Sequence, residues 1–170
     1  MKTENLFLAG PCSACLPVQS KVGTFIHCWL PVFLWLALTF GFSTGVGSTR
    51  HTSRFIRPFL RWLNPEMSEA SIRRVQTMIR KTAHMSEYAV LSVLLWRAVR
   101  RSGRKEPQEW TWRDAGGALS LVALLAVTDE WHQAFVPERQ GQITDVLFDV
   151  SGGTMGLVAI WIAGRSLQKW

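Results

Sequence analysis

Apolar residues are concentrated in four segments of the chain, each close to the length of about 20 residues that a helix needs to cross the hydrocarbon core of a bilayer. The segments are Phe25–Phe42, Ala83–Val99, Ala115–Phe135 and Ile143–Ala163. A water-soluble bundle would need a polar stripe on each helix, and a run such as Ala118–Val127 offers hardly any polar surface. The pattern therefore predicts an all-α fold, an integral membrane bundle of four transmembrane helices.

The connector between the first two segments is neither apolar nor low in complexity. Over Arg54–Leu63 it combines Phe, Ile and Leu with Arg in a basic amphipathic pattern, typical of a helix in the headgroup plane. Asn64 and Pro65 break this pattern, and Ser68 is a suitable N-cap because apolar residues recur at helical spacing from Ile72 into the second segment. An ordinary polar loop is the alternative. We predict an amphipathic interfacial segment between helices one and two.

The first 24 residues differ from the rest of the chain and are predicted to form a flexible N-terminal tail. Cys12 and Cys15 form a CxxC pair there, without the second pair of a zinc site or the βαβ pattern of redox proteins, so we interpret both as solvated thiols. Residues 25–170 are predicted to form a single membrane domain.

The formal net charge of +7 raises the question of a nucleic-acid partner. The basic residues lie mainly between the apolar segments, where Lys and Arg set topology and contact anionic headgroups, so membrane lipids are the expected partners and nucleic acid is not. The short connector from Arg100 to Asp114 is densely basic, which favours the cytoplasm for it and for both termini. The first connector is also basic, so the difference between the two sides is small.

Five carboxylates lie inside or at the edge of the apolar segments: Glu87, Asp129, Glu130, Asp145 and Asp149. An acid that faces lipid at the centre of a membrane helix costs about 3 kcal/mol, so these acids must face one another, protein or water. Because successive helices form hairpins, the start of helix two, the end of helix three and the start of helix four share one membrane face. Acids from all three places then lie about 9 Å below that face and define one polar layer.

Other polar residues accompany these acids. His84 and Tyr88 share one face of helix two, with Glu87 between them. A His and a Glu three residues apart can act as acid and base or as two metal ligands, and the alternative is that both only fix helix packing. Arg139, the cation of the loop between helices three and four, could pair with an acid or hold a phosphate or carboxylate.

Helix three ends with Asp129, Glu130 and Gln133. Gln133 shares a face with each acid, so the amide and at least one carboxylate can point inward together. Two adjacent acids cannot both occupy the centre of one stripe, and we expect one of them to face the loop or water.

Helix four carries Asp145 and Asp149 one turn apart, followed by Gly152 and Gly156. These glycines form a small-xxx-small face that allows another helix to approach closely, either within the chain or in a homodimer. The two aspartates are therefore expected to point toward protein rather than lipid.

These polar residues form an ordered series of motifs, which are Lys81-x-x-His84-x-x-Glu87-Tyr88, Arg97-Ala98, Asp129-Glu130-x-x-Gln133-x-Phe135-x-Pro137-x-Arg139 and Asp145-x-x-x-Asp149-x-x-Gly152-x-x-x-Gly156. The series resembles the VanZ-like family of small bacterial membrane proteins, and Ser43 resembles a serine of that family. Two positions depart from the family pattern: Glu138 replaces a glycine often found before the arginine, and Asp149 stands where asparagine is common.

The resemblance implies a multi-pass protein of the bacterial inner membrane. The founding member of the family is associated with low-level resistance to the glycopeptide teicoplanin, so the resemblance also suggests a role in the cell envelope. Ligand-binding residues would then come from the polar layer, and no cofactor or resident metal is predicted.

Three functional hypotheses follow. The leading one is a non-enzymatic envelope protein whose polar layer, near the outer leaflet, binds an amphiphile or a cell-wall-related headgroup. The second is an intramembrane enzyme in which Glu87 or Glu130 acts as general base with His84 as acid or metal ligand, and Ser43 or Ser86 as nucleophile. The third is proton-coupled transport through the buried acids.

Overall fold

The computed structural model describes residues 21–41, 49–101, 109–135 and 143–167. These ranges contain five α-helices and no strand, so the predicted all-α class is confirmed. The helices are α1 (Lys21–Gly41), α2 (Thr49–Leu63), α3 (Glu69–Arg101), α4 (Trp112–Ala134) and α5 (Ile143–Ser166). The N-terminal tail with its CxxC pair lies outside the described residues.

The helix α3 begins well before the second apolar segment. Ser68 Oγ accepts a hydrogen bond from the backbone N–H of Ser71 at 3.2 Å, so the predicted N-cap is present. The 33 residues that follow form one continuous helix about 50 Å long, at 1.5 Å per residue. This length exceeds the hydrocarbon core of about 30 Å, so part of α3 must extend beyond a membrane that it crosses.

The helix α2 includes the predicted amphipathic segment Arg54–Leu63, begins five residues earlier at Thr49, and ends where the sequence predicts, just before Asn64 and Pro65. It is tied to the first turn of α3 by ion pairs from Arg57 and Arg61 to Glu69, with N to O distances of 2.6 Å and 2.5 Å. Hydrogen bonding from Arg57, opposed by desolvation and reinforced by Arg61, holds the pKa of Glu69 below its usual value.

The central helix of the fold is α3, which packs most extensively against α5 and also contacts α1, α2 and α4. Gly152 of α5 contacts Met85 of α3, and Gly156 contacts Ala89. The contacts follow the same order along both helices, so α3 and α5 run parallel. A Cβ at Gly152 would lie 2.8 Å from Cα of Met85, and one at Gly156 would lie 2.6 Å from Oγ of Ser92. Only glycine fits at these positions, and the glycine face therefore packs within the chain.

The helix α1 lies against α3 in the opposite direction. Its Trp35 donates a hydrogen bond from Nε1 to the backbone carbonyl of Glu87 at 3.0 Å. Toward the start of α1, Nε2 of His27 lies 3.5 Å from a guanidinium nitrogen of Arg97, further along α3. These two contacts fix the antiparallel arrangement of α1 and α3.

The bundle has two chemically different ends. We call one the polar end; it joins the middle of α3, the end of α4 and the start of α5 through Lys81, Gln133 and Asp145. The other is the tryptophan end, where ring centroids follow one another at 5.2, 5.8 and 5.9 Å from Trp96 to Trp110, Trp112 and Trp161.

The outer surface of the bundle is apolar over much of its area. Large exposed apolar side chains on α1, α4 and α5 include Phe25, Phe33, Leu34, Leu124, Val127, Leu147 and Met155. Contiguous exposed apolar surface of this kind marks contact with lipid or with another protein.

One described helix, α5, is long and apolar enough to cross a membrane, and α1 contains a shorter apolar segment, Phe25–Gly41. Charged residues lower the hydropathy of α3 and α4, for example Asp129 and Glu130 near the end of α4. The four-span bundle therefore stays a prediction.

Candidate functional site at the polar end

A partly open cavity at the polar end is lined by side chains from three helices. Its empty space is about 280 Å³ including the part open to the outside, of which about 10 Å³ can hold the centre of a water molecule. That is room for about one water. The cavity is lined by Arg80, Lys81, His84, Glu130, Gln133, Asp145, Phe148 and Asp149.

An ion pair between α3 and α5 closes one side of the cavity. Lys81 Nζ lies 2.6 Å from Oδ1 of Asp145, and the side chains are 29% and 18% exposed. The same ammonium group lies 4.5 Å from the ring centroid of Phe148, within range of a cation–π contact. Lys81 is therefore held by a charge and a ring, and it is still accessible from the surface.

Asp149 lies deeper in the cavity than this ion pair. Asp149 is only 1% exposed. Its Oδ1 lies 3.9 Å from Nδ1 of His84, which is too far for a direct hydrogen bond. The second carboxylate oxygen, Oδ2, is buried and has no hydrogen-bond partner within the described ranges. A buried carboxylate oxygen in this state is costly unless a ligand, a water or a proton satisfies it.

The two adjacent acids of α4 are both buried, and the expectation that one of them faces the loop stays a prediction because residues 136–142 lie outside the described residues. Asp129 is fully buried and accepts a hydrogen bond from Nε2 of Gln133 at 2.7 Å, and Glu130 is 8% exposed and lines the cavity. Both acids are buried because α4 contacts both α3 and α5, so two positions about 100° apart on α4 can both face protein.

The remaining predicted site residues either line no part of the cavity or lie outside the described residues. Tyr88 is buried in the apolar core, and Glu87 is half-buried and is not among the residues that line the cavity. Arg139, with the rest of residues 136–142, lies outside the described residues, as does Ser43. Ser86, the other nucleophile of the enzymatic hypothesis, is exposed and donates its hydroxyl to the backbone carbonyl of Thr82 at 2.9 Å, away from the cavity.

The comparison with protein families matches residues 28–164 to the profile described as VanZ/LLP1, which is most of the chain. The chain belongs to the VanZ/LLP1 family. The resemblance read from the motifs between Lys81 and Gly156 is thereby confirmed, and the match extends it to α1, α2 and most of α5. Neither the search of curated proteins nor the search of solved structures found a match.

The VanZ/LLP1 chain uses three cavity residues that were not among the predicted site residues: Arg80, Lys81 and Phe148. The available signal for Lys81 was its place one turn before His84 in the family motif, at the boundary between the basic connector and the apolar segment. No comparable signal marks Phe148, because a phenylalanine between two aspartates of an apolar helix reads as a lipid-facing residue.

The arrangement of the acids also bears on metal binding. Within residues 21–41, 49–101, 109–135 and 143–167, no group of three or more His, Cys, Asp or Glu side chains is placed to hold a metal ion. At the polar end of this VanZ/LLP1 protein Asp145 pairs with Lys81, Asp129 accepts a hydrogen bond from Gln133, and Asp149 lies 3.9 Å from His84. Such a site can form hydrogen bonds and ion pairs with a polar ligand at its open side.

Proposed function

We propose that this VanZ/LLP1 protein is a multi-pass protein of the bacterial inner membrane that binds the polar headgroup of an amphiphile, or a cell-wall-related headgroup, at its polar end. In this proposal α1, α3, α4 and α5 cross the bilayer, and α2 lies in the headgroup region. The apolar outer faces of α1, α4 and α5 support the membrane location, because lipid is the solvent that such faces require.

The spacing of two tryptophans on α4 supports the proposal that this helix crosses the membrane, although α4 is too polar to be recognised as a span by hydropathy alone. Trp112 and Trp131 are 71% and 68% exposed at opposite ends of α4. Their 19-residue separation corresponds to about 28 Å, close to the hydrocarbon thickness of about 30 Å. Exposed tryptophans at this distance match the two aromatic belts of a membrane protein.

The observation that carries the binding function is the meeting of charged side chains from three helices around one partly open cavity. Ionisable residues inside a membrane bundle are expensive, and they are retained mainly for binding or transport. Here Lys81 and Asp145 are only partly buried, and Asp149 offers an oxygen with no partner among the described residues. A ligand headgroup can engage these groups without unfolding the bundle.

The proposed orientation places the polar end at the outer leaflet, since the basic connector at the tryptophan end favours the cytoplasm. Labelling of single cysteines in a background without Cys12, Cys15 and Cys28 tests this. Gly141→Cys should react with an impermeant maleimide from outside intact cells, and Ser102→Cys should react only after permeabilisation. Reaction of both from the same side would contradict the four-span topology.

The envelope role is tested by teicoplanin susceptibility. A susceptible Gram-positive host that expresses the chain should tolerate more teicoplanin, and Glu130→Gln should remove this gain because it alters the cavity. Glu109→Gln, an exposed acid near the tryptophan end, is the matched control and should keep the gain. Equal membrane levels of all three proteins are required. Full protection by Glu130→Gln would mean that the polar layer only fixes packing.

A further inference from the structure

A second and larger concavity lies beside the cavity, on the outer face of α3. This groove has a volume of about 710 Å³, within the range of about 300–1,000 Å³ that is usual for ligand sites. Among the described residues it is formed by one face of α3 and by Phe148 of α5. Its lining consists of Ala70, Arg73, Arg74, Thr77, Met78, Lys81, Thr82, Met85 and Phe148.

Two arginines are concentrated at one end of the groove, and Lys81 is the further cation along it. Arg73 and Arg74 lie at one end, both exposed, and no ion pair to either is found among the described residues. Met85 lies at the other end, about 18 Å from Arg73 at 1.5 Å per residue of helix, and the ring centroid of Phe148 lies 4.5 Å from Nζ of Lys81. This order of charge and apolar surface matches a molecule with an anionic head and a hydrocarbon chain.

The groove and the cavity share Lys81 and Phe148. Lys81 is bound to Asp145 on the cavity side and also lines the groove. The groove and the cavity therefore meet at Lys81, so a ligand in the groove borders the polar end.

We propose that the groove binds a membrane amphiphile with a negatively charged phosphate headgroup. The phosphate lies at Arg73 and Arg74, and the hydrocarbon chain passes Met78 toward Met85 and Phe148. Guanidinium groups suit phosphate oxygens, and methionine side chains adapt to chains of irregular shape. This inference rests on the proposed function, whose ligand class it names.

Photo-crosslinking of the full chain in vesicles tests the groove. The probes are phosphatidylglycerol and phosphatidylcholine that carry the same diazirine in one acyl chain, each as a trace component of otherwise identical vesicles. Phosphatidylglycerol should label the peptides that contain Met85 and Phe148 roughly tenfold more than phosphatidylcholine, since each arginine near a membrane surface favours an anionic lipid.

Charge variants identify the residues responsible. Arg73→Gln with Arg74→Gln should reduce phosphatidylglycerol labelling to the level of phosphatidylcholine. Arg101→Gln with Arg113→Gln removes the same charge from exposed positions at the tryptophan end and should leave the labelling unchanged. Met78→Trp, which fills the groove and keeps both arginines, should also reduce labelling, so the result does not depend on one variant.

Two further outcomes would decide against the groove, and two combined outcomes separate it from the proposed function. Equal labelling by the two lipids would make it ordinary lipid-facing surface, and suppression by inorganic phosphate would make it a site for free anions. Selective labelling together with full teicoplanin protection by Glu130→Gln would remove the proposed function and keep the groove. Unselective labelling together with loss of protection in Glu130→Gln would do the reverse.

Discussion

The two ends of the bundle hold their cationic side chains in different ways. At both ends these side chains lie next to apolar helices. At the polar end Lys81 is paired with Asp145 between helices, beside a cavity. At the tryptophan end Arg100 lies 4.9 Å from the ring centroid of Trp96, and Arg165 lies 5.5 Å from that of Trp161.

This difference separates two kinds of role. Arginines stacked on tryptophans are typical of an anchor at the membrane boundary, where amphipathic rings prefer to lie. Opposite charges held between helices near a partly unsatisfied carboxylate are costly to maintain and are more typical of a binding site. We expect substitutions at the tryptophan end to affect stability, and isosteric substitutions at the polar end to affect binding.

The largest effect on stability is expected for Trp96→Ala. Trp96 is buried and stacks with Trp110, so truncation should lower the free energy of unfolding by about 3 kcal/mol. Unfolding in mixed micelles, followed by circular dichroism, measures the change. Trp131→Ala, which removes an exposed ring at the polar end, should have a much smaller effect. Similar losses in both variants would break the distinction between the ends.

The next largest effect on stability concerns the close packing of α5 against α3. Gly152→Ala should lower the free energy of unfolding by about 1–3 kcal/mol, because the added Cβ would overlap the backbone of Met85 and force α5 away from α3. Gly116→Ala is the matched control, since no atom lies within 4 Å of its added Cβ. The control should keep or slightly raise stability in the same assay. Equal behaviour of the two variants would exclude close α3–α5 packing.

A smaller effect is expected for the ion pair of the polar end. Lys81→Met should cost about 1–2 kcal/mol, less than for a fully buried pair because both partners are partly exposed. Combining it with Asp145→Asn should cost less than the sum of the single changes. Arg100→Met at the tryptophan end should cost about 0.5–1 kcal/mol. Additive costs for Lys81 and Asp145 would mean that the pair is not coupled.

The smallest effect is a pH response outside the proposed membrane spans. Because ion pairing lowers the pKa of Glu69 in the folded state, the α2–α3 contact is fully stabilised above the usual value of 4.5 and loses this stabilisation as pH falls through the lowered value. A spin label at Leu63→Cys should become more mobile in acid. Arg57→Gln with Arg61→Gln should be mobile at every pH, and an unchanged response in that variant would exclude Glu69 as the cause.

Much of the fold follows from the sequence, because it depends on local patterns. The helical spacing from Ile72 onward and the Ser68 cap predict that α3 continues into the apolar segment, and the structure confirms one helix. The bounds of α4 and α5 are predicted within three residues, since apolar runs end where polar connectors begin.

The details of the site depend on how the helices are rotated against one another, which no single segment contains. Lys81 and Asp145 are 64 residues apart in sequence. Their pairing requires that α3 and α5 pack against each other in parallel. Burial of both Asp129 and Glu130 requires that α4 lie against two helices. The groove depends on Phe148, whose place beside α3 the apolar pattern of α5 does not reveal.

The unbroken length of α3 restricts how this protein can change in evolution. Each residue of a helix turns the chain by about 100°, so a single insertion or deletion between Lys81 and Trp96 would rotate one against the other by that angle. Lys81 could then not face Asp145 while Trp96 faces Trp110. Changes of length are therefore expected in the connectors at residues 102–108 and 136–142, and the segment Lys81–Trp96 is expected to keep a fixed number of residues.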